Sequence, residues 1–162
     1  MGDSPSSGWG HDGGPANGHQ NRGSGGGGAG GGGAPYNPRG YGGGGMQVPT
    51  TFRDPAQTWG ATGPNNAPIT GEDTTGRWFF ACGGGGGGHN PTTYGRGGEY
   101  GIPQTGPFAG AGDGSYNGFN TAADAKINTG SGGGGGGQIA SGQGGVGGGR
   151  GGSGIALIAY PE

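Results

Sequence analysis

Most glycines of this chain lie in dense blocks, and these blocks constrain the fold more than any other feature. In residues 77–88, "RWFFACGGGGGG", three aromatic residues lead almost directly into six glycines. Glycine accounts for 55 of the 162 residues and proline for 12, well above the level of about 25–30% that marks low-complexity chains. The dense blocks are 23–33, 42–45, 83–88, 130–137 and 144–154.

Blocks of this kind have few structures open to them. Disorder is one, because hydrophobic residues make up only 25% of the chain and little apolar surface offsets its entropy. However, only 10% of the residues are charged, which is low for a disordered chain. Collagen is excluded, because its glycines recur at every third position. The ordered alternative is polyglycine II, an extended helix whose N–H and C=O groups point outward towards neighbouring chains.

The energetics decide how many glycine runs are needed for order. Fixing one residue costs about 1–2 kcal/mol, whereas a hydrogen bond returns a net 0.5–1.5 kcal/mol or so. A lone run is therefore expected to be disordered, and several runs stacked together are expected to order. We predict a mostly β and irregular fold with short β-strands, packed polyglycine-II-like runs and almost no helix. Residues 1–22 form a polar N-terminal segment, and residues 23–162 form a single glycine-rich domain.

Two apolar segments predict strands. "RWFFAC" at 77–82 is aromatic, and "IALIAY" at 155–160 is apolar on both faces, as in an internal strand. The segment "TAADAKI" at 121–127 has the composition of a short helix. The predicted structural core consists of Trp78, Phe79, Phe80, Ile155, Leu157 and Ile158.

The sequence offers little catalytic chemistry. Cys82 is the only cysteine, so no intramolecular disulfide or cysteine-based zinc site is available, and its aromatic neighbours predict a buried, inert thiol. His11 and His19 are predicted to be solvated loop residues rather than metal ligands. The glycine run at 83–88 is not a phosphate-binding loop, because such a loop ends in Gly-Lys-Ser/Thr and the only lysine, Lys126, is far from this run. We therefore expect no enzyme activity, no cofactor and no metal.

The charge balance bears on partners. A net charge of −2 lacks the basic excess of a nucleic-acid-binding protein, so no nucleic-acid partner is expected. Arg96 and Arg150 lie in "GRGG" contexts, which keeps a disordered RNA-associated tail as a minor alternative. No stretch approaches the length of about 18 apolar residues that a membrane span needs.

Residues 89–120 interleave aromatic residues with Gly, Pro, Asn and Ser. These aromatics either seal a small core or a subunit contact, or they form an adaptable recognition surface suited to sugar rings. The sequence leaves both interpretations open. The candidate receptor-contact residues are His89, Asn90, Tyr94, Arg96, Tyr100, Phe108, Tyr116, Asn117 and Phe119.

The order of segments carries a resemblance to a known class of proteins. "VPTTFRDP" (48–55) is followed by "GATGP" (60–64), "RWFFACGGGGGG" (77–88), "NTGSGGGGGG" (128–137) and a terminal "GGSGIALIAYP" (151–161). Over roughly residues 20 to 162 this order resembles the glycine-rich C-terminal domain of tailed-phage tail fibres and related virion proteins, especially those of phages that infect marine cyanobacteria.

The resemblance implies a non-enzymatic virion component, exposed on the particle and extracellular at the host, that takes part in host attachment. It implies that the runs at 83–88, 130–137 and 144–154 are scaffold. The loops at 89–129 and 138–143 would contact a host glycan or outer-membrane protein. The expected partners are further copies of the chain, with a trimer favoured, and other virion proteins. The alternative is a glycine-rich filament or matrix protein that self-assembles through aromatic and polyglycine contacts.

Overall fold

Regular secondary structure is scarce in this protein. The computed structural model describes residues 10–15, 22–36, 39–52, 79–89, 94–98, 110–116, 121–138 and 145–160. Within them, strand β1 (Met46–Gln47) pairs antiparallel with strand β2 (Phe79–Phe80), with Met46 opposite Phe80, and a 3-10 helix spans Thr50–Phe52. The prediction of an irregular fold with almost no helix is confirmed, although the strands contain fewer residues than a mostly β fold would have. The strand predicted in "RWFFAC" is present at its two phenylalanines.

Hydrogen bonds between glycine-rich segments take the place of a sheet. Residues 83–88, here called the central run, accept from residues 23–29 at regular intervals. Gly84 O accepts from Gly26 N at 2.9 Å, and Gly87 O accepts from Gly23 N at 2.8 Å. Donor and acceptor thus move by three residues in opposite directions, which defines an antiparallel pair with a three-residue repeat.

Five segments surround the central run, and each bonds to it with this three-residue repeat. Residues 23–29, 40–43 and 95–98 run antiparallel to it, whereas 112–115 and 132–135 run parallel. Besides the bonds above, the N–H to C=O pairs are Gly83 to Gly43, Gly86 to Gly40, Gly85 to Gly112, Gly88 to Ser115, Gly95 to Gly86, Gly98 to Gly83, Gly132 to Cys82 and Gly135 to Gly85.

The central run consists of glycine because its neighbours approach too closely for side chains. A Cβ placed on any residue from 83 to 87 would overlap a backbone carbonyl oxygen of another segment. At Gly85, for example, that oxygen belongs to Gly95. None of these glycines has a positive φ, so the backbone conformation itself does not require glycine. The block encodes close packing rather than slack.

Further segments extend the same pattern outward. Residues 146–152 lie antiparallel to 131–137, with the N–H groups of Val146, Gly149 and Gly152 donating to carbonyls spaced three residues apart. On the other side, His11 and Gly14 donate to Gly28 and Gly25, so residues 10–15 belong with the glycine-rich body. These bonds lie N-terminal to residue 23, where the sequence placed the start of the glycine-rich domain.

The interior formed by the described residues consists mainly of backbone and small side chains. The buried apolar residues are Ala34, Cys82, Ala111 and Ala125, and the largest fully buried side chains are those of Thr129 and Ser115. The hydroxyls have partners: Ser115 Oγ accepts from Gly137 N at 2.6 Å, and Thr129 Oγ1 donates to Lys126 O at 2.6 Å. A serine therefore fits into a run where its hydroxyl replaces a carbonyl as acceptor.

Two elements predicted from the sequence take other forms. Residues 155–160 contain no strand, and Ile155 and Ile158 are 40% and 73% exposed, so these two residues lie outside the buried core. Residues 121–127 contain no helix, because Ala123 N and Lys126 N donate to Asp113 O and Gly110 O rather than within the segment. Among the described residues no helix is long and apolar enough to cross a membrane.

The remaining core predictions divide by residue. Phe80 is partly buried, and Leu157 is partly buried beside it in an apolar pocket. Trp78 lies outside the described residues, and Phe79 is described by its backbone alone. Because only glycine and small side chains fit between the closely spaced runs, the large apolar side chains are left at the edge of the packing.

Candidate functional site

Two tyrosines meet at the end of the central run where residue 88 lies. Gly88 N donates to Ser115 O at 2.8 Å and pairs with Tyr116 in a parallel bridge, which fixes Tyr116 at this end. Gly95 N donates to Gly86 O, which brings Tyr94 to the same end on another side of the run. The two rings stack with their centroids 5.1 Å apart and an interplanar angle of 25°.

The tyrosine pair forms a platform on the end of the scaffold. Both tyrosines are partly exposed, and so is His89, which follows directly on the central run. Aromatic faces bind apolar or sugar-like surfaces while phenolic hydroxyls exchange hydrogen bonds, so this platform suits binding. Of the predicted contact residues, three come together here. Asn90, Tyr100, Phe108, Asn117 and Phe119 lie outside the described residues.

Arg96 belongs to the scaffold more than to the platform. Its carbonyl accepts from Gly42 N at 2.8 Å, which joins residues 95–98 to 40–43. Asp113, in a neighbouring segment, accepts from Gly97 N at 2.9 Å through Oδ1. Burial raises the pKa of the Asp113 carboxyl, while the Gly97 N–H and the charge of Arg96 act in the opposite direction. The charge of Arg96 thus offsets only part of the free-energy cost of burying the Asp113 carboxylate.

Three segments that the sequence placed in a receptor-binding loop are part of the packing. Residues 94–98 and 110–116 surround the central run, and residues 121–126 bond to 110–113. The signal was available in "GRGG" and "GAGDGS", where glycine occupies only some positions. Non-glycine residues are accommodated between them, as Arg96 and Asp113 are. The side chains of Asp113 and Ser115, which sequence reasoning missed, link residues 110–116 to Gly97 and to Gly137, respectively.

Cys82 is the junction between strand β2 and the central run. Its side chain is 2% exposed, and its Sγ donates to Gly43 O at 3.1 Å. Burial raises the pKa of the thiol to about 12, although backbone hydrogen bonds at Gly45 and Gly83 oppose that shift. The prediction of a buried thiol is confirmed, and the chemistry is that of a structural cysteine rather than a nucleophile.

The opposite end of the central run is apolar. A pocket of about 350 Å³ lies beside Phe80 and Ala81, and its lining includes Phe52, Ile155 and Leu157. Ala81 adopts a φ of 54°, a strained value for a residue with a Cβ. Its N–H and C=O are held by Thr129 O and Ala29 N. The body therefore has one end that carries the tyrosine pair and an opposite end that is apolar.

His, Cys, Asp and Glu side chains are dispersed over the described residues. No group of three or more His, Cys, Asp or Glu side chains placed to hold a metal ion occurs among them. The chain matches no protein-family model, no curated protein and no solved structure. The function is therefore inferred from the chain's own geometry and from the segment order of its sequence.

Proposed function

We propose that this protein is a virion structural protein of a tailed phage, a glycine-rich tail-fibre domain exposed on the particle that takes part in attachment to the host surface. The segment order from "VPTTFRDP" to "GGSGIALIAYP" supports the class of protein. The observation that carries the attachment role is the Tyr94–Tyr116 stack, held on one end of a body of packed runs.

The scaffold in this proposal is a bundle of polyglycine-II-like helices. Three residues per turn is the repeat of that helix. The five ladders around the central run support the proposal, because each advances by three residues per hydrogen bond. Such a bundle spans distance with little side-chain mass and leaves its ends free to carry binding residues. We propose that the apolar end around Phe80 and Leu157 faces the rest of the particle.

The receptor class that fits the platform is a surface glycan, with an outer-membrane protein as the alternative. Stacked tyrosines present a flat aromatic face to a sugar ring, and their hydroxyls exchange hydrogen bonds with the sugar hydroxyls. A free carboxylate or metal is not needed for recognition of this kind.

Two measurements test the proposal. Mass spectrometry of purified particles of the phage that encodes the chain should detect it. The purified protein, added to host cells before the phage, should lower the number of adsorbed particles. A Tyr94→Ala/Tyr116→Ala variant should lose this competition, whereas Tyr160→Ala should keep it, because Tyr160 is 82% exposed on the C-terminal segment. Absence from the particle, or competition that is unchanged by the double substitution, would reject the proposal.

A second function, a self-assembling filament or matrix protein, is favoured by the exposed apolar side chains of the C-terminal segment. Ile158 and Tyr160 are 73% and 82% exposed. Electron microscopy of the purified chain separates the two functions. Long fibres formed by this chain alone, together with absence from virions, would favour the filament.

A further inference from the structure

The ring of segments around the central run is open on one side. Five segments form this ring, and each bonds to the next one. In order around the ring they are 132–135, 112–115, 95–98, 40–43 and 23–29. The N–H to C=O pairs are Gly112 to Gly132, Ser115 to Gly135, Gly114 to Gly95, Gly42 to Arg96 and Gly43 to Gly26. Within the described ranges, no backbone hydrogen bond joins residues 23–29 to 132–135, which would complete the ring.

A groove of about 720 Å³ occupies this opening. Its floor consists of residues 81–87, and its two walls consist of residues 23–29 and 130–136. At a rise of about 3.1 Å per residue the floor is on the order of 20 Å long. Glycine supplies most of the lining, so backbone groups rather than side chains face a ligand.

The floor carries hydrogen-bond donors that have no acceptor among the described residues. In the central run, the N–H groups of Gly83, Gly85, Gly86 and Gly88 each donate to a neighbouring segment. Those of Gly84 and Gly87 donate to no described residue, and both residues line the groove. Ala81, three residues before Gly84, donates to Thr129 O where the groove closes. The two donors therefore continue a row that has an acceptor only at its end.

The walls carry the complementary acceptors. The carbonyls of Ser24 and Gly27 on one wall, and of Gly133 and Gly136 on the other, accept no hydrogen bond from the described residues. All four residues line the groove, and each pair is again three residues apart. A strand with a three-residue repeat that directs C=O to the floor and N–H to both walls would satisfy all six groups.

One segment of this chain has the right form and is not enclosed. Residues 146–152 bond to residues 131–137, and Arg150 also bonds through its backbone to Asp124 and Ala125. Their outward glycines Gly147, Gly148 and Gly151 are exposed and donate to no described acceptor. The carbonyls of Gly149 and Gly152 likewise accept from no residue in the described ranges. This edge run offers donors and acceptors of the kind that the groove lacks.

We propose that the groove of one copy of this protein receives the edge run, residues 146–152, of a second copy. This inference rests on the packed-run scaffold proposed above and not on the attachment role. Groove and edge run are different surfaces, so the contact is head-to-tail. Such contacts close into a ring or continue as an open chain, according to the rotation between neighbours.

Sedimentation velocity over a range of concentrations tests the proposal, with three glycine-to-valine variants. Gly26→Val narrows the groove, because a Cβ there lies 3.5 Å from Gly84 N without overlap. Gly147→Val alters the edge run, where a Cβ meets nothing within 4 Å. The control is Gly31→Val, outside both surfaces, whose Cβ has one contact at 3.6 Å, to Gly44 N. The unmodified protein and the control should assemble, and the other two variants should each remain monomeric.

Mixing the two monomeric variants gives the sharpest result. Gly26→Val retains its edge run and Gly147→Val retains its groove, so one contact is possible and no further growth. The mixture should form a one-to-one heterodimer. Should Gly26→Val fail to fold by circular dichroism, a peptide of residues 144–154 replaces it and should dissociate assemblies of the unmodified protein.

Three outcomes would overturn the proposal: a monomer at every concentration, assembly that persists in Gly147→Val, or no response to the peptide and no heterodimer. A monomeric protein that still blocks phage adsorption would reject this inference and leave the proposed function intact. Assembly through the groove by a protein that does not affect phage adsorption would support this inference and reject the proposed attachment function.

Discussion

The ring of Tyr94 stacks on the ring of Tyr116, although the two residues lie on segments that bond to different sides of the central run. Tyr94 precedes the Gly95 N–H that donates to Gly86 O, and Tyr116 follows the Ser115 carbonyl that accepts from Gly88 N. The stack therefore exists only when both segments are docked. It links the integrity of the scaffold to the shape of the proposed binding platform.

Removing the ring of a platform tyrosine should weaken binding to host cells more than removing its hydroxyl alone. Tyr116→Ala removes the stacking surface and should weaken binding to host cells about tenfold or more, as for a central aromatic contact residue. Tyr116→Phe keeps the ring and should cost only a few-fold. Binding of the labelled protein to cells measures both. Equal losses in the two variants would show that the hydroxyl, not the ring, is recognised.

A glycine-to-alanine substitution should have opposite effects on stability at Gly86 and at Gly31. A Cβ at Gly86 would overlap Gly23 O, whereas at Gly31 its one contact is an ordinary 3.6 Å to Gly44 N. Gly86→Ala should destabilise the fold by at least about 1–3 kcal/mol. Gly31→Ala should be neutral or stabilising by up to roughly 1 kcal/mol, because it restricts the unfolded chain. Denaturant unfolding measures both. A tolerated Gly86→Ala would contradict the close packing of the central run.

Neutralising Asp113 should stabilise the folded protein by an amount that depends on pH. Burial raises the pKa of this carboxyl above its ordinary 3.8, so ionisation is less favourable in the folded protein. Its contribution to stability is therefore greatest below pH 3.8 and falls as pH rises through the folded pKa. Asp113→Asn keeps an acceptor for Gly97 N and should raise the melting temperature at pH 7, with a smaller gain at pH 3.

The matched control for that substitution is Asp124→Asn. Asp124 is exposed and, like Asp113, accepts a backbone N–H, in this case from Arg150 at 2.7 Å. An exposed carboxyl has little burial cost to relieve, so no gain is expected at pH 7. A gain at pH 7 that does not shrink at pH 3 would show that the effect of Asp113→Asn is not electrostatic.

The thiol of Cys82 should react with a disulfide reagent only after the protein unfolds. With its pKa raised to about 12 and 2% of its side chain exposed, it should resist an aromatic disulfide reagent at pH 8. Urea through the unfolding transition should release the full reactivity. The control is Ala156→Cys in a Cys82→Ala background, because position 156 is exposed and should react at once. Rapid reaction of Cys82 in the native protein would place it outside the packed junction.

The sequence predicted the general character of the fold from simple physical limits. A chain with few large apolar residues cannot build a side-chain core, so the glycine blocks had to be either slack or the structure itself. The phenylalanines before Cys82 were a reliable strand signal, and the small size of Cys82 explains its burial between Gly43 and Ser131, whose Oγ accepts from its N–H.

The sequence misled where a local pattern competed with close backbone packing. "IALIAY" is strand-like, but its side chains are too large to enter between runs, and Ile158 is 73% exposed. "TAADAKI" is helix-like, yet its N–H groups complete the bonding of Asp113 O and Gly110 O. Of the platform, the composition predicted the residue types. It could not predict that Tyr94 and Tyr116 meet, because that depends on the register of separate segments.

Residue-resolved amide exchange of the central run tests the account most directly. In the Gly147→Val variant, which keeps the groove empty, the N–H groups of Gly83, Gly85, Gly86 and Gly88 should exchange slowly, because each donates to another segment. Those of Gly84 and Gly87, three residues apart on the groove floor, should exchange faster. Rapid exchange at all six glycines would instead show that the run is a slack linker and contradict the packed scaffold.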